Sequence, residues 1–158
     1  MRFSVCWSVL TGFFLAVLSA PASQLAIGDL VPVISATDQH GQSFVSTNGF
    51  QFILIATEMA CAKSANQKLA EQGAGFLDRH HAAYLLDIHT MPGIARFFAF
   101  PKMRKYPYRI ILVDKAETLA AFPAHSGRVT VVTVSPGCRV EKISFWDPES
   151  EPMTVCFQ

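Results

Sequence analysis

Residues 50–61, FQFILIATEMAC, contain the pattern from which the architecture of this 158-residue chain is predicted. Residues 50–56 form an apolar run rich in β-branched and aromatic side chains, which is typical of a central strand buried on both faces of a sheet. Apolar residues then recur at helical spacing over residues 61–78. The stretch therefore predicts a buried strand followed by a helix, with Cys61 at the point where the helix begins.

Similar apolar runs continue along the chain on both sides of this stretch. Before it, a turn signal between two short extended segments predicts a β-hairpin over residues 34–45. Further strands are predicted at residues 82–88, 108–113, 128–134 and 139–146. We expect all of these later runs to join residues 50–56 in one sheet, with the last run at its antiparallel end.

Two more helical segments lie between the predicted strands. Pro92 opens a short helix in which Ile94, Phe97 and Phe98 follow the i, i+3, i+4 pattern. A shorter helical turn is predicted at residues 115–122. Because strands alternate with helices, the expected fold class is α/β, with a central mixed sheet flanked by helices, closed by an antiparallel pair and preceded by the hairpin.

The N-terminal residues have the composition of an export signal. Arg2 is followed by an apolar run and by Ala20-Pro21-Ala22, which fits a small-residue cleavage site. The run is shorter than the about 20 residues that a transmembrane helix needs, although an uncleaved anchor is the alternative. We expect a signal peptide at residues 1–22, a domain at 23–146 and a loosely held tail at 147–158, in a periplasmic or secreted protein.

Composition and charge exclude several classes of protein. Hydrophobic residues make up 51% of the chain and charged residues 16%, which excludes a disordered tail or a coiled coil. Thirteen Lys and Arg against twelve Asp and Glu give a formal charge of +1. This balance provides no electrostatic argument for nucleic acid or for an acidic membrane surface. No cofactor motif is present, and the spacing of the five histidines and four cysteines predicts no metal site.

Four local motifs follow one another in a recognisable order. They are GDLVP at residues 28–32, DQHG at residues 38–41, Cys61 directly after the first central strand, and GRVTVVTVSPG at residues 127–137. In this order they resemble the conserved segments of peroxiredoxins, a branch of the thioredoxin-fold superfamily. The resemblance extends over residues 27–146. It implies a thioredoxin-like fold of the peroxiredoxin type, with Cys61 where that fold keeps its redox cysteine.

This sequence can also be aligned with the thioredoxin fold in a second register, in which a different predicted strand follows the conserved proline. Tyr106-Pro107-Tyr108 precedes a predicted strand, as the cis-proline of thioredoxin does. In thioredoxin the hairpin partner of that strand follows almost at once, whereas here about fourteen residues separate the runs at residues 108–113 and 128–134. We therefore favour the peroxiredoxin-like register.

The sequence departs from every well-known active site of this fold. Peroxidatic peroxiredoxins carry P-x-x-x-[TS]-x-x-C, but here Leu54 and Glu58 occupy the proline and hydroxyl positions before Cys61. Thioredoxin-type reductases carry C-x-x-C, where this chain has Ser64, and copper-chaperone relatives carry C-x-x-x-C, where it has Ala65. We expect negligible turnover of hydrogen peroxide.

Three residues are the candidate catalytic group. The thiol of Cys61, at a helix N-terminus, would have a pKa below that of a free cysteine, with Lys63 adding positive charge and Glu58 opposing it. Ser64 could donate a hydrogen bond to that thiolate but could not resolve a mixed disulfide. The resemblance implies that Arg128 lies near Cys61 and steadies its charge. The alternatives are an inert buried cysteine and a solvated arginine.

The two remaining cysteines of the predicted domain and tail, Cys138 and Cys156, are a candidate disulfide. A bond between them would close a loop of about 18 residues and contribute about 3 kcal/mol. Two free thiols, or a resolving role for Cys156, remain open.

Two functional hypotheses follow. The first is thiol-disulfide exchange through Cys61 with an extracytoplasmic protein thiol or disulfide as partner. The second is a non-catalytic thioredoxin-fold binding module. Neither hypothesis includes nucleic acid or a stable membrane anchor. Residues 101–109 hold four basic residues and two tyrosines, which indicates either a solvated loop or a contact for an acidic partner or an anion.

Overall fold

The computed structural model describes residues 24–46 and 49–158. The predicted signal peptide lies outside the described residues. A seven-stranded sheet forms the centre of the described part. Its strands are β1 (Ser35–Asp38), β2 (Ser43–Val45), β3 (Phe52–Ala56), β4 (Ala82–Asp87), β5 (Ile111–Val113), β6 (Val129–Val134) and β7 (Val140–Trp146).

The strand order is β2-β1-β5-β4-β3-β6-β7. β3, β4 and β5 are parallel, while the N-terminal hairpin and the β6–β7 pair are antiparallel. The predicted mixed α/β sheet is therefore confirmed, and the five apolar runs share one sheet as expected. β6 lies directly beside β3 and β5 lies two strands away, which agrees with the peroxiredoxin-like register rather than with the alternative.

Four helices connect the strands of the described part. They are α1 (Met59–Gln72), α2 (Phe76–Arg79), α3 (Gly93–Met103) and α4 (Ala116–Leu119). The single helix predicted at residues 61–78 is thus two helices. Gly73 and Gly75 have φ angles of 79° and 73°, a left-handed backbone that glycine adopts without a steric penalty and that ends a helix.

The sheet separates two hydrophobic clusters because side chains alternate along each strand. The first cluster contains Leu54, Tyr84 and Val131 from the strands, together with the inner faces of α1 and α3. The second contains Ile53 and Val132, with residues of the N-terminal segment and α4. Among the described residues, no helix has the length and apolar character needed to cross a membrane.

The C-terminal residues are packed rather than loosely held, so that prediction is wrong. Residues Met153–Phe157 form a 3-10 helix in which Met153 and Cys156 are buried in the first cluster. The Phe157 ring lies 5.1 Å from that of Phe52 and 5.4 Å from that of Phe76. The acids that suggested a loose tail occupy only its first half, whereas the second half is apolar and completes the core.

Residues 28–31, here called the N-terminal strap, run beside the start of β7. The N–H of Gly28 donates to the carbonyl of Val140 at 2.8 Å, and the N–H of Val140 donates to the carbonyl of Asp29 at 2.9 Å. The N–H of Val31 donates to the carbonyl of Cys138 at 2.9 Å. The strap therefore pairs with the outer edge of the last strand.

Candidate functional site

Cys61 lies in the first turn of α1, two residues after the helix begins at Met59. The preceding residue, Glu58, has an extended backbone, and its carboxylate makes no capping hydrogen bond to α1. That carboxylate instead accepts a hydrogen bond from the N–H of Gly127 at 3.0 Å. Glu58 therefore links the start of α1 to the loop that precedes β6. Cys61 itself is buried, with 3% of the residue exposed.

The surroundings of Cys61 oppose ionisation of its thiol. Burial is the largest cause, and the nearby carboxylates of Glu58, Asp147 and Glu149 add to it; together they raise the pKa of Cys61 from its usual value of 9.0 to about 11. The prediction of a lowered pKa is wrong, because burial and the three carboxylates all favour the neutral thiol. The expectation that Glu58 opposes the thiolate is confirmed. Lys63 is not among the groups that shift the pKa of Cys61.

Ser64 lies one helical turn beyond Cys61 on α1. Its hydroxyl donates to Oε1 of Glu149 at 3.4 Å, a long and partly exposed contact. The structure records no hydrogen bond between this hydroxyl and the Cys61 sulfur. The expected support for a thiolate is therefore replaced by a contact with the acidic segment that follows β7.

Arg128 lies just before β6, half-buried, and its guanidinium donates to the carbonyl of Phe145 at 3.4 Å. The N–H of Glu149 and the Ser150 side chain lower the pKa of Asp147, and the charge of Arg128 lowers it further. Arg128 thus stabilises a carboxylate beside the cysteine. It is not among the groups that shift the pKa of Cys61.

Tyr84, the neighbour of Cys61 in the core, was not among the site residues predicted from the sequence. Its hydroxyl is fully buried and has no hydrogen-bond partner among the described residues. Burial, followed by Tyr108 and Cys61, raises the pKa of Tyr84 well above its usual value. The available signal was a tyrosine among the aliphatic residues that open the strand predicted at residues 82–88, since a buried hydroxyl normally needs a partner.

A second tyrosine behind the site is fully satisfied. The hydroxyl of Tyr108 donates towards the backbone carbonyl and Oδ1 of Asn66, at 2.9 and 3.0 Å. Tyr106 stacks on Tyr108 with ring centroids 5.3 Å apart. These contacts join α1 to the segment before β5 and hold Tyr106 in the lining of a groove beside α1.

An apolar groove of about 680 Å³ adjoins the Cys61 turn, between α1 and α3. Met59 and Lys63 line it from α1, and Phe98 and Lys102 line it from α3. Asn66 also lines the groove, and its carboxamide nitrogen makes no hydrogen bond to a described residue. The groove therefore offers apolar surface, one amide donor and two cationic side chains, with no carboxylate among its lining residues.

Cys138 and Cys156 are not bonded to each other. Cys156 lies in the first cluster. Cys138, in the turn between β6 and β7, lines a recess with Ile53 and Val134 of the second cluster. The sheet lies between them, so the predicted disulfide is not formed in this structure. Burial, with a smaller effect of Glu151, also raises the pKa of Cys156 to about 12, which does not suit a resolving thiol.

No cluster of three or more His, Cys, Asp or Glu side chains suited to a metal ion occurs in residues 24–46 and 49–158. His89 is paired with Asp87 at 2.7 Å, and His80 is hydrogen-bonded to the carbonyl of Phe76 at 2.9 Å. Both histidines therefore have partners within the fold.

Sequence comparison identifies no relative: no protein-family model matches this chain, and no curated protein matches it. Structural comparison does find similar folds. A peroxiredoxin-like protein from Aquifex aeolicus is 12% identical with a TM-score of 0.53, over 80% of each chain. The peroxidoxin BcpB from Mycobacterium tuberculosis is 15% identical with a TM-score of 0.53, over 80% of this chain and 91% of that one.

A thio-disulfide isomerase from Thermus thermophilus is 16% identical with a TM-score of 0.51, over 77% of this chain and 87% of that one. The chain thus has the thioredoxin-like fold with peroxiredoxin-like and thiol-disulfide oxidoreductase structures as neighbours, as the resemblance implied. At these identities the likeness concerns the fold alone, and function must be argued from the site.

Proposed function

We propose that this protein is an exported thioredoxin-fold binding module in which Cys61 is a structural thiol rather than a nucleophile. The observation that carries the proposal is the burial of Cys61 against three carboxylates. Because the thiolate is the reactive form of cysteine, a raised pKa lowers reactivity at neutral pH. At pH 8 a pKa of about 11 leaves about 10⁻³ of the thiol ionised, against about 10⁻¹ at the usual value.

The residues around Cys61 support the same proposal. Ser64 occupies the position of a resolving cysteine and contacts Glu149 instead of the thiol. The guanidinium of Arg128 donates to the carbonyl of Phe145, and its charge lowers the pKa of Asp147 rather than that of Cys61. A mixed disulfide formed at Cys61 would therefore lack a neighbouring second thiol to complete turnover.

The groove between α1 and α3 supports binding as the function. Met59 and Phe98 provide exposed apolar contact area, and Lys63 and Lys102 make no ion pair with a described residue. The free amide donor of Asn66 could fix the orientation of a bound segment. Apolar recesses with a few polar groups are the common form of binding sites.

Export is part of the proposal and rests on the sequence. Arg2, the apolar run and Ala20-Pro21-Ala22 have the pattern of a cleaved signal. We expect the exported chain to begin at Ser23, and intact mass determination of the secreted protein would test this. A mass that includes residues 1–22 would overturn the export argument.

A second candidate function, thiol-disulfide exchange, is favoured by one observation. Cys61 lies in the first turn of the helix that follows the central strand β3, where backbone N–H groups could stabilise a thiolate once the acidic segment at residues 147–151 moved away. The thiolate would then attack a partner disulfide, form a mixed disulfide and release one partner thiolate.

Peptide-resolved alkylation of the native chain separates the two candidates. The protein is treated with iodoacetamide at pH 8, natively and in urea, and modification of each cysteine is followed by mass spectrometry. For a structural thiol we expect native Cys61 to react at least about 10²-fold more slowly than in urea. Cys156, also buried with a raised pKa, is the matched internal control and should be similarly slow.

The opposite result is equally clear. If native Cys61 reacts as fast as the unfolded thiol while Cys156 stays protected, the Cys61 thiol is accessible and reactive in the folded chain. Thiol-disulfide exchange then becomes the better supported function.

A further inference from the structure

α3 turns apolar side chains towards solvent. Ile94, Phe97 and Phe98 are 75%, 76% and 63% exposed, and their spacing places them on one side of the helix. The rings of Phe97 and Phe98 meet edge to face with centroids 5.4 Å apart. We call these three residues the α3 crest. Large apolar side chains grouped in this way on a surface mark an interaction site.

The crest is not needed to hold α3 on the protein. The opposite side of the helix provides the contacts, where Met103 is buried and Ala95, Ala99 and Phe100 pack against the first cluster. The sequence pattern identified the apolar positions correctly, but they form the outer face. The helix is thus apolar on both sides, and only one side has a partner within the described residues.

The chain around α3 is entirely basic in its formal charges. Residues 88–113 contain five Arg and Lys and no Asp or Glu. Three arginines are used within the fold: Arg96 donates to the carbonyl of Ile88, Arg104 to that of Gln39 and Arg109 to the Asp38 carboxylate. The exposed Lys102 and Lys105, at the C-terminal end of the crest, make no ion pair with a described residue.

From these observations we propose that the α3 crest is a peripheral docking site for an anionic lipid bilayer. Aromatic and aliphatic side chains that project from a helix, with lysines beside them, match the boundary between acyl chains and acidic headgroups. The lysines provide the charge complementarity, and the crest provides the apolar contact. This inference goes beyond the proposed function and does not depend on the reactivity of Cys61, although Phe98 and Lys102 also line the groove between α1 and α3.

The shape of the surface favours a bilayer over a folded protein partner. Phe97 and Phe98 project from the helix, and a soft lipid interface can accept projecting rings without a preformed pocket. The contact is short, with three apolar residues over about one helical turn, so the binding is reversible and differs from a membrane-spanning anchor.

Vesicle binding tests the proposal directly. The whole chain is mixed with vesicles of phosphatidylcholine alone or with 30% phosphatidylglycerol, and the bound fraction is measured by flotation at low and high salt. We expect at least about tenfold stronger partitioning to the anionic vesicles and a marked loss at high salt, because lysine contributions are electrostatic.

Two variants remove one half of the site each. Ile94→Ser with Phe97→Ser removes most of the crest, and we expect a loss of binding of at least about tenfold. Lys102→Gln with Lys105→Gln should weaken binding to anionic vesicles about 25-fold, at about fivefold for each lysine. The matched control, Ile27→Ser with Lys115→Gln, removes an exposed apolar and a basic residue elsewhere and should bind like the parent chain.

All variants carry the same N-terminus, so any contribution of residues 1–22 is common to them, and circular dichroism verifies that each is folded. Equal binding to both vesicle types, no binding at all, or unchanged binding by the crest variant would overturn the proposal. So would a dimer in light scattering that the crest variant converts to a monomer, since a second copy of the chain would then cover the crest.

Discussion

α1 and α3 cover the same face of the sheet but use their surfaces in opposite ways. α1 buries Ala62, Ala65 and Leu69 in the first cluster and encloses the Cys61 thiol beside carboxylates. α3 makes its inward contacts mainly through small or partly buried side chains and leaves its largest apolar group, the crest, outside. Apolar spacing therefore defines a helix face, but the neighbouring surface decides whether that face is buried.

The comparison extends to charge. The Cys61 turn is bordered by Glu58, Asp147 and Glu149, whereas residues 88–113 carry only basic formal charges. A net charge of +1 hides this separation, which is why composition gave no reason to expect an acidic surface as a partner. Local charge, rather than the total, governs such contacts.

The largest effect that we expect comes from equivalent truncations on the two helices. Leu69→Ala in α1 removes a fully buried side chain and should cost about 2–5 kcal/mol in the free energy of unfolding. Phe97→Ala in α3 removes an exposed one and should change it by no more than about 0.5 kcal/mol. Urea denaturation of both variants measures the difference. Comparable losses would show that the crest is part of the core.

The next prediction concerns the pH dependence of stability. The pKa of Cys61 is about 11 in the folded chain and 9.0 when unperturbed, so both states are protonated below pH 9. As the pH rises from 9 to 11 the unfolded thiol loses its proton first, and stability falls.

Urea titrations at several pH values measure the slope of the free energy of unfolding against pH. Cys61→Ala should reduce the slope without abolishing it, because Cys156, Tyr84 and Tyr108 also have raised pKa values. Ser64→Ala, which removes no titrating group, is the control. A Cys61→Ala variant with the parent slope would contradict the raised pKa.

A smaller effect should follow from neutralising the acids beside the thiol. Glu58→Gln with Glu149→Gln removes two of the three carboxylates that raise the pKa of Cys61, so alkylation of Cys61 at pH 8 should rise several-fold. Burial, the larger cause, remains, and the rate should stay below that of the unfolded thiol. Glu71→Gln with Glu117→Gln is the matched surface control. An unchanged rate in the first variant would mean that burial alone protects Cys61.

The smallest expected effect is local. Glu58→Ala removes the acceptor for the Gly127 N–H, a loss of about 1 kcal/mol. Hydrogen exchange at the Gly127 amide should become about fivefold faster. The amide of Gly28, bonded to Val140, should be unaffected, and acceleration of both amides would indicate global loosening instead.

The strands were predictable because their signal is local. The run at residues 50–56 and its four successors are apolar enough to identify the sheet, and the motif order identified the fold. The environment of Cys61 was not predictable, because Asp147 and Glu149 lie more than eighty residues along the chain. The orientation of α3 and the packing of Phe157 likewise depend on surfaces that no sequence window contains.

The N-terminal strap has a consequence for self-association. β7 is the last strand of the sheet, and an uncovered edge strand presents backbone groups on which another chain can add a strand. By pairing with Val140, residues 28–31 occupy the first position of that edge. A chain in which the strap is detached would offer the whole of Val140–Trp146 as a template. Slow aggregation by strand addition should therefore begin at β7.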